Sequence, residues 1–411
     1  MSRISNILTS QNTYAVLIAA LMIALPLSYG FSTGVLIALL AVSLASLRFH
    51  KFKFDKVFIV PMVLYVIMIA SLLWTDDLKV SLRGLERQLA LILIPVAFAA
   101  MPVLSEKTRN LILYWFSLGL SLLAIFFVLW ATFTYKSGHT ETFFYHGLVS
   151  PLGLNAIYVS VFVSLSVLFL LFKQKRNIWS LVALAILSIF LLLLVSKIII
   201  VATAIIGFVG MTQNFKRTTI LKLIPIILGG IALLVFTSNP IKDRFQREIS
   251  VSNISEVMEA GQFNKTYDWT GTTIRLFQAR IFSEMLEEDP IFWTGYGVNN
   301  SKKKIIEKQE SYNLWQGYNT YNFHNQYIQA FAELGIFGLL CLFLLLGVIL
   351  YRYLQTKDIL LLFLFFIMLV VFITESYIWR QRGLYHFLVL FCLFFKMEKP
   401  LNTTTITTNE T

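Results

Sequence analysis

Continuous apolar runs recur along the chain and constrain its fold more than any other feature. Most approach the ~20 residues that a helix needs to cross the hydrocarbon core of a bilayer. Because these runs do not alternate with polar residues, they favour membrane-spanning helices over a strand barrel. Twelve segments can be delimited, at approximately 13–29, 32–47, 57–74, 88–104, 110–132, 151–172, 178–195, 198–213, 220–237, 335–351, 358–377 and 384–396.

We therefore expect an all-α fold, a polytopic membrane protein of about 12 transmembrane helices. The last segment is short enough to lie at the membrane interface instead. Of the 411 residues, 57% are hydrophobic and only 14% are charged, against roughly 25% charged residues in soluble domains. Both cysteines, Cys341 and Cys392, fall inside apolar runs. We expect them to pack in the core rather than to form a disulfide.

The distribution of basic residues predicts how the chain is oriented. The net charge of +12 suggests contact with anionic lipid in a membrane protein, and we expect no nucleic-acid partner. Short loops hold more Lys and Arg on the side where the N-terminus is placed, which favours both termini inside. The chain then divides into an N-terminal membrane bundle (1–237), a large outer loop (238–323), C-terminal membrane helices (324–400) and a disordered cytoplasmic tail (401–411).

The predicted outer loop is long enough to be functional or to form a small domain. Residues 272–288 have helical periodicity, and Pro290, Gly295 and Gly297 then predict a turn. A short basic helix is expected over 301–310. Aromatic residues follow it, at Tyr312, Trp315, Tyr318 and Tyr321, and they suit a membrane interface or stacking on sugar rings.

His324 is the strongest catalytic candidate, because it lies between this long loop and an apolar run. An imidazole titrates near neutrality and can take a proton from a hydroxyl group. Asn325 could orient a neighbouring group, and Tyr327 lies one helical turn further on. The alternative is a histidine that caps a helix or lies at the interface. Glu333 lies nine positions from His324, on roughly the opposite helix face, so we favour a structural role for it.

Basic residues on the predicted outer side form a second group of candidates. The positive-inside rule disfavours them there, and guanidinium groups bind a diphosphate in bidentate fashion. The alternative is pairing with nearby glutamates, and for the three lysines a solvated helix face. The candidates are Arg83, Arg87, Arg275, Arg280, Lys302, Lys303, Lys304, Arg380 and Arg382.

Two further features could contribute to a site. Lys197 stands alone between two apolar runs, so it either snorkels to the interface or pairs with an anion. In the segment 143–160, His146, Asn155 and Tyr158 could line a polar cleft, or the segment could simply start a helix. Walker, GxGxxG, CxxC and HExxH motifs are absent, and we expect neither a cofactor nor a metal site.

The run HNQYIQAFAELGIFG (324–338) resembles the signature of the O-antigen ligase and O-antigen polymerase superfamily. The upstream DPIFWTGYGVNN (289–300) is similar to the Pro-then-Gly-x-Gly turn of that superfamily, and Arg275 matches its loop arginine. ESYIWRQRG (375–383) and LVSPLGLNAIY (148–158) look like a subgroup of these proteins. Members often carry Ser-Arg at the end of a middle span, where this chain has Ser196-Lys197.

The resemblance implies an inverting, metal-independent transfer of a glycan from undecaprenyl diphosphate to a sugar hydroxyl, at the periplasmic face of a bacterial inner membrane. The acceptor would be lipid A-core for a ligase, or another repeat unit for a polymerase. His324 and Arg275 would be catalytic. The expected substrate-binding residues are Lys197, Arg380, Arg382, Arg83, Arg87, Asn325, Tyr327 and Tyr158. A flippase or other transporter of lipid-linked glycans is the alternative from another class, but it should line several spans with polar residues.

Overall fold

The structure, a computed structural model, describes residues 2–135, 140–221, 237, 240–314, 317–318 and 321–397. Most of the predicted ninth span (220–237), Trp315 and the tail 401–411 lie outside this part. The described residues form helices and connecting turns, with one isolated bridge between Leu104 and Met397. The predicted all-α class is therefore confirmed.

The α-helices of the described residues are numbered in chain order. Their bounds are α1 Ser2–Thr9, α2 Gln11–Leu27, α3 Tyr29–Ser46, α4 Ile59–Ala70, α5 Leu78–Gln88, α6 Ala90–Ala100, α7 Glu106–Tyr135, α8 Tyr145–Val149, α9 Ala156–Phe172, α10 Ile178–Leu193, α11 Lys197–Asn214, α12 Pro240–Val251, α13 Ile254–Glu259, α14 Gly271–Glu288, α15 Ser301–Ser311, α16 Gln326–Thr356, α17 Ile359–Thr374 and α18 Gln381–Phe395.

Among the described residues, five helices are long and apolar enough to cross a bilayer. A sixth is obtained if the segments Tyr145–Leu152 and Ala156–Phe172, which meet at a bend of 93°, count as one span. The helices α2, α10, α17 and α18 are apolar but shorter. Every predicted apolar segment outside 220–237 coincides with a helix, although 88–104 contains only the 11-residue α6. The number of twelve spans stays a prediction.

Large apolar side chains lie on both the inside and the outside of this bundle. Phe98, Phe127 and Phe387 are fully buried. Leu73, Leu122 and Phe133 are 70% exposed or more. Exposed apolar side chains at this density are expected where lipid rather than water surrounds the helices.

A second, smaller core lies in the segment between α11 and α16. The side chain of Thr270 accepts a hydrogen bond from the backbone N–H of Thr273 and so caps α14. One face of α14 buries Phe277 and Ile281 in this core. Phe263 and Trp269 pack on Phe277, with ring centroids 5.2 Å away in both cases. Residues 257–332 thus contribute to a core of their own.

A kink in α16 joins this smaller core to the membrane bundle. Gly335, with φ of +62°, interrupts the helix, and the turn 291–297 enters the gap. The N–H of Gly297 donates to the carbonyl of Glu333, and the N–H of Ile336 donates to the carbonyl of Phe292, each at 2.9 Å. A Cβ on Gly335 would lie 2.3 Å from the carbonyl carbon of Trp293. We call this arrangement of 291–297 against 332–336 the backbone clamp.

Candidate functional site

A cavity of about 240 Å³ lies where the ends of five helices meet. Tyr29 begins α3, His324 precedes α16, Glu375 follows α17, and Arg380 stands before α18. The bend before α9 supplies the fifth side. The lining residues are Tyr29, Gly153, Leu154, Asn155, Tyr158, Val159, Phe162, Asn322, His324, Glu375, Arg380 and Arg382.

His324 contacts a buried carboxylate. Its Nδ1 lies 3.2 Å from Oε1 of Glu375, which is only 5% exposed. An ionised carboxylate can only accept a hydrogen bond, so Nδ1 must carry the hydrogen that it donates to Glu375. This contact therefore favours the Nδ1–H tautomer, which leaves the lone pair on Nε2. The backbone of His324 has a φ of +44°, which is uncommon for a residue other than glycine. Its N–H donates to Oδ1 of Asn322 at 3.1 Å.

Arg275 reaches the same carboxylate from α14. Its Nη2 lies 3.4 Å from Oε1 of Glu375, and its Nε donates to the carbonyl of Thr374 at 2.8 Å. Its Nη1 donates to the carbonyl of Gly271 at 2.6 Å. Arg275 therefore lies behind Glu375 and is not among the residues that line the cavity.

Glu375 is held in its ionised form by these neighbours. Burial raises the pKa of its carboxyl group, but the hydrogen bond from His324 and the charges of His324, Arg275 and Arg380 outweigh burial. The net effect is a pKa below the usual value for glutamate. An ionised carboxylate in this position can orient an imidazole and stabilise its protonated form.

Two further cations line the cavity directly. Nε of Arg382 donates to the carbonyl of Leu25 at 3.0 Å, and its guanidinium lies 4.3 Å from the ring centroid of Tyr29. Arg380 is exposed and precedes α18. Within the described residues, neither arginine forms an ion pair, although the charge of Arg380 acts on Glu375. Both guanidinium groups can therefore contact an anion that enters the cavity.

The bend before α9 places polar groups in the cavity wall. Oδ1 of Asn155 accepts from the N–H of Ile157 at 2.8 Å, and Nδ1 of His146 accepts from the N–H of Ala156 at 3.2 Å. Both side chains therefore cap α9, as the structural alternative predicted, but Asn155 also lines the cavity. The hydroxyl of Tyr158 donates to the carbonyl of Ser376 at 3.3 Å.

Besides Arg275 and Lys197, four residues predicted for the site lie outside the cavity lining. Asn325 caps α16, because its Oδ1 accepts from the N–H groups of Tyr327 and Ile328. The hydroxyl of Tyr327 donates to the carbonyl of Leu369 at 3.1 Å, which ties α16 to α17. Arg83 and Arg87 are exposed on α5.

Lys197 is the first residue of α11 and forms an ion pair with Glu248 of α12. A tight turn with Val195 at φ of +45° precedes it. The sequence allowed either snorkelling or pairing with an anion, and the structure contains the ion pair. Of the other loop cations named above, Arg280 contacts Glu284, Lys303 contacts Glu307 and Lys304 contacts Asp289.

Glu333 is buried away from the cavity. Its Oε1 accepts from Oγ of Ser301 at 2.6 Å and from Nε2 of Gln329 at 2.8 Å. These contacts link α15 to α16 and are consistent with the expected structural role. In the described part of the chain, no group of three or more His, Cys, Asp and Glu is arranged to hold a metal ion.

Residues 153–343 match a family model described as "O-Antigen ligase". The matched range begins at the bend before α9 and ends within α16. It includes Tyr158, Lys197, Arg275 and His324, whereas Glu375 and the two cavity arginines lie beyond it. No curated protein matches the chain.

Proposed function

Because the chain belongs to the O-antigen ligase and O-antigen polymerase superfamily, we propose that it is an O-antigen ligase-like glycosyltransferase. It moves a glycan from an undecaprenyl-diphosphate donor to a sugar hydroxyl of lipid A-core or a similar acceptor. It does so at the periplasmic face of a bacterial inner membrane. One observation carries the proposal: His324, held by Glu375, shares a cavity with two arginines.

His324 is the general base of this reaction. Glu375 engages Nδ1, so Nε2 is the nitrogen that takes the proton from the acceptor hydroxyl. As the proton moves, the acceptor oxygen bonds to the anomeric carbon of the donor from the side opposite the diphosphate. The bond between that carbon and the phosphate oxygen breaks, its electron pair leaves with the diphosphate, and the anomeric configuration inverts.

Arg380 and Arg382 stabilise the charge that develops on the leaving diphosphate. They line the cavity, and within the described residues neither of them forms an ion pair. The N-terminal end of α9 adds the positive end of a helix dipole at the same wall. Charge stabilisation of this kind replaces the role that a divalent cation has in other transferases.

Arg275 acts through Glu375 in this scheme. It lies behind the carboxylate of Glu375 and orients it, and Glu375 in turn orients His324. Tyr29, Asn155 and Asn322 also line the cavity and offer an aromatic ring and amide groups to a sugar. Side chains of these types are suited to stacking on sugar rings and to hydrogen bonding with hydroxyl groups.

The test is a transfer assay in membranes that contain equal amounts of wild-type protein and of His324→Ala. We expect transfer to fall by roughly 100-fold or more, because a positioned base contributes about 10²–10⁴-fold. His50→Ala is the matched control, since His50 follows the far end of α3, where it contacts Ser46. Near-normal transfer by His324→Ala would contradict the base assignment.

The same assay identifies the acceptor. Donor is supplied with and without lipid A-core, and the products are separated by size. A ligase forms product only when lipid A-core is present. Chain growth on the donor alone would assign the chain to the polymerases, with the same chemistry at His324.

A further inference from the structure

Three buried polar side chains lie along one face of the first turns of α16. Gln326, Gln329 and Glu333 are spaced three and four positions apart, so they project from the same side of the helix. Gln326 is fully buried, and the other two are 3% exposed or less. We call these three residues the α16 stripe. Buried amide and carboxyl groups are costly unless they form hydrogen bonds, so the partners of the stripe indicate its role.

The two amides of the α16 stripe contact the connection between α17 and α18. Oε1 of Gln326 accepts from the backbone N–H of Ile378 at 2.9 Å, and Oε1 of Gln329 accepts from Oγ of Ser376 at 3.4 Å. Ile378 is 2% exposed, so its N–H would be buried without a partner if Gln326 were absent. Because Ser376 directly follows Glu375 in the chain, both amides hold the residues immediately after that carboxylate.

Glu333 determines which way the amide of Gln329 points. Oε1 of Glu333 accepts from Nε2 of Gln329 at 2.8 Å, which leaves the amide oxygen of Gln329 to meet Ser376. The same Oε1 also accepts from Oγ of Ser301, and this contact links α15 to α16. The carboxyl group of Glu333 therefore has one contact that ties two helices together and another that leads to the connection after α17.

From these contacts we infer that Gln326 and Gln329 are positioning residues for Glu375, and that Glu333 acts on Glu375 through Gln329. This role rests on the proposed function, in which Glu375 orients the base. His324 directly precedes α16, and the α16 stripe belongs to the first turns of that helix. One helix therefore fixes both the imidazole and the carboxylate that orients it, and the contact between them does not depend on the loop alone.

The experiment compares kcat and the KM for the donor among variants of the full-length protein in proteoliposomes. Gln326→Met and Gln329→Met keep the length of the side chain and remove the amide. We expect each to lower kcat by roughly threefold to tenfold with little change in KM, because a displaced carboxylate affects the step in which His324 takes the proton. Gln278→Met is the matched control, since neither polar atom of this buried glutamine has a hydrogen-bond partner among the described residues. It should leave both constants unchanged.

Glu333 allows a test that distinguishes positioning from a purely structural role. Glu333→Met should lower kcat as much as Gln329→Met does, and the double variant should lower it no further, because both changes remove the same contact with Ser376. Ionising a buried carboxyl group with neutral partners is costly, so Glu333→Gln, which can still accept at Oε1, should keep the wild-type kcat. Ser301→Ala leaves the contact between Glu333 and Gln329, so it should lower the thermal transition at unchanged kcat. Additive losses of kcat in the double variant would contradict the route through Gln329.

Backbone hydrogen exchange in residues 375–380 gives a readout that does not depend on glycan transfer. Exchange there should be roughly threefold faster or more in Gln326→Met and Gln329→Met, and unchanged in Gln278→Met, because the connection loses its attachment to α16. If one of the two variants does not fold, the other decides. Wild-type exchange and wild-type kcat in a folded variant would overturn the positioning role and leave the proposed function standing. Faster exchange in the variants, with no glycan transfer by the wild type, would retain the attachment of the connection and remove the transferase.

Discussion

Glu375 is the residue on which the geometry of the candidate site depends. Its Oε1 contacts Nδ1 of His324 and Nη2 of Arg275, so one buried carboxylate connects the proposed base to α14. Removing one partner of a buried charged pair leaves the other without compensation. A change at Glu375 should therefore affect both the chemistry at His324 and the attachment of the loop.

We predict that Glu375→Gln lowers kcat for glycan transfer by roughly 10- to 100-fold, with little change in the KM for the donor. The amide can still accept a hydrogen bond from Nδ1, but it no longer stabilises the imidazolium. Steady-state kinetics in proteoliposomes would measure both constants. A rise in KM at constant kcat would instead assign Glu375 to donor binding.

The same variant should change how the stability of the protein depends on pH. The folded-state pKa of Glu375 is lowered, so its ion contacts stabilise the protein above the usual glutamate pKa of about 4.3 and are lost as pH falls through the lowered value. Thermal melts of wild type and Glu375→Gln should therefore converge as pH falls through the lowered folded-state pKa of Glu375. A gap that closes already above the usual glutamate pKa would contradict the lowered pKa.

Some residues of the candidate site can be predicted from the sequence. His324, Tyr158, Arg380 and Arg382 were selected by residue type and position, and they line one cavity. Glu375 is one of the nearby glutamates that the sequence offers as partners of the basic residues, but nothing in the sequence connects position 375 with position 324. The sequence feature that could have indicated a role for it is its position as a lone acidic residue at the end of an apolar run. The roles of all these residues stay predictions.

At the scale of elements, the backbone clamp determines where His324 lies. The turn 291–297 supplies hydrogen bonds that the kinked α16 cannot make internally. The helix therefore keeps a fixed direction relative to the loop, and His324 directly precedes that helix. The glycines of DPIFWTGYGVNN and of the stretch 324–338 have a structural explanation here, because a Cβ on Gly295 would lie 2.4 Å from the backbone of Glu333.

We predict that Gly335→Ala lowers the free energy of unfolding by roughly 2–4 kcal/mol, through left-handed backbone strain and a clash with the carbonyl of Trp293. Glycan transfer should fall with it, because the loop loses its attachment. Gly347→Ala in the same helix is the matched control, since a Cβ there has no atom within 4 Å. Equal thermal transitions for the two variants would show that the clamp contributes little.

Element boundaries were predicted less well than element type. The apolar run indicated a helix from 335, whereas α16 begins at Gln326, because Asn325 caps it and its first turns are only partly apolar. The bend of 93° before α9 was not anticipated, although Pro151 and Gly153 are residues that interrupt helices. Mean hydropathy is averaged over a window of residues. It therefore indicates how apolar a segment is, but not where a helix changes direction.

At the scale of the whole molecule, the candidate site lies at the junction of two cores. The bundle supplies the glutamate and the two cavity arginines, and the smaller core of the loop supplies Arg275. Arg380 and Arg382 stand together at the start of α18 and line the cavity. In the proposed function, these two cations hold the diphosphate.

We predict that glycan transfer is unchanged after dialysis against EDTA, because Arg380 and Arg382 supply the positive charge that the leaving group needs. The transfer assay is repeated on chelated protein with and without added Mg²⁺. Loss of transfer that Mg²⁺ restores would show that a metal ion shares this role.

The backbone clamp also limits how such proteins can be recombined. Residues 291–297 and 332–336 complete each other's hydrogen bonds, although about forty positions separate them in the chain. Consider a chimera that combines the loop of one homologous protein with the final helices of another. It would separate two segments that form hydrogen bonds with each other. Segments exchanged to alter the acceptor should therefore keep Asp289 to Gly338 together, with both junctions outside that cassette.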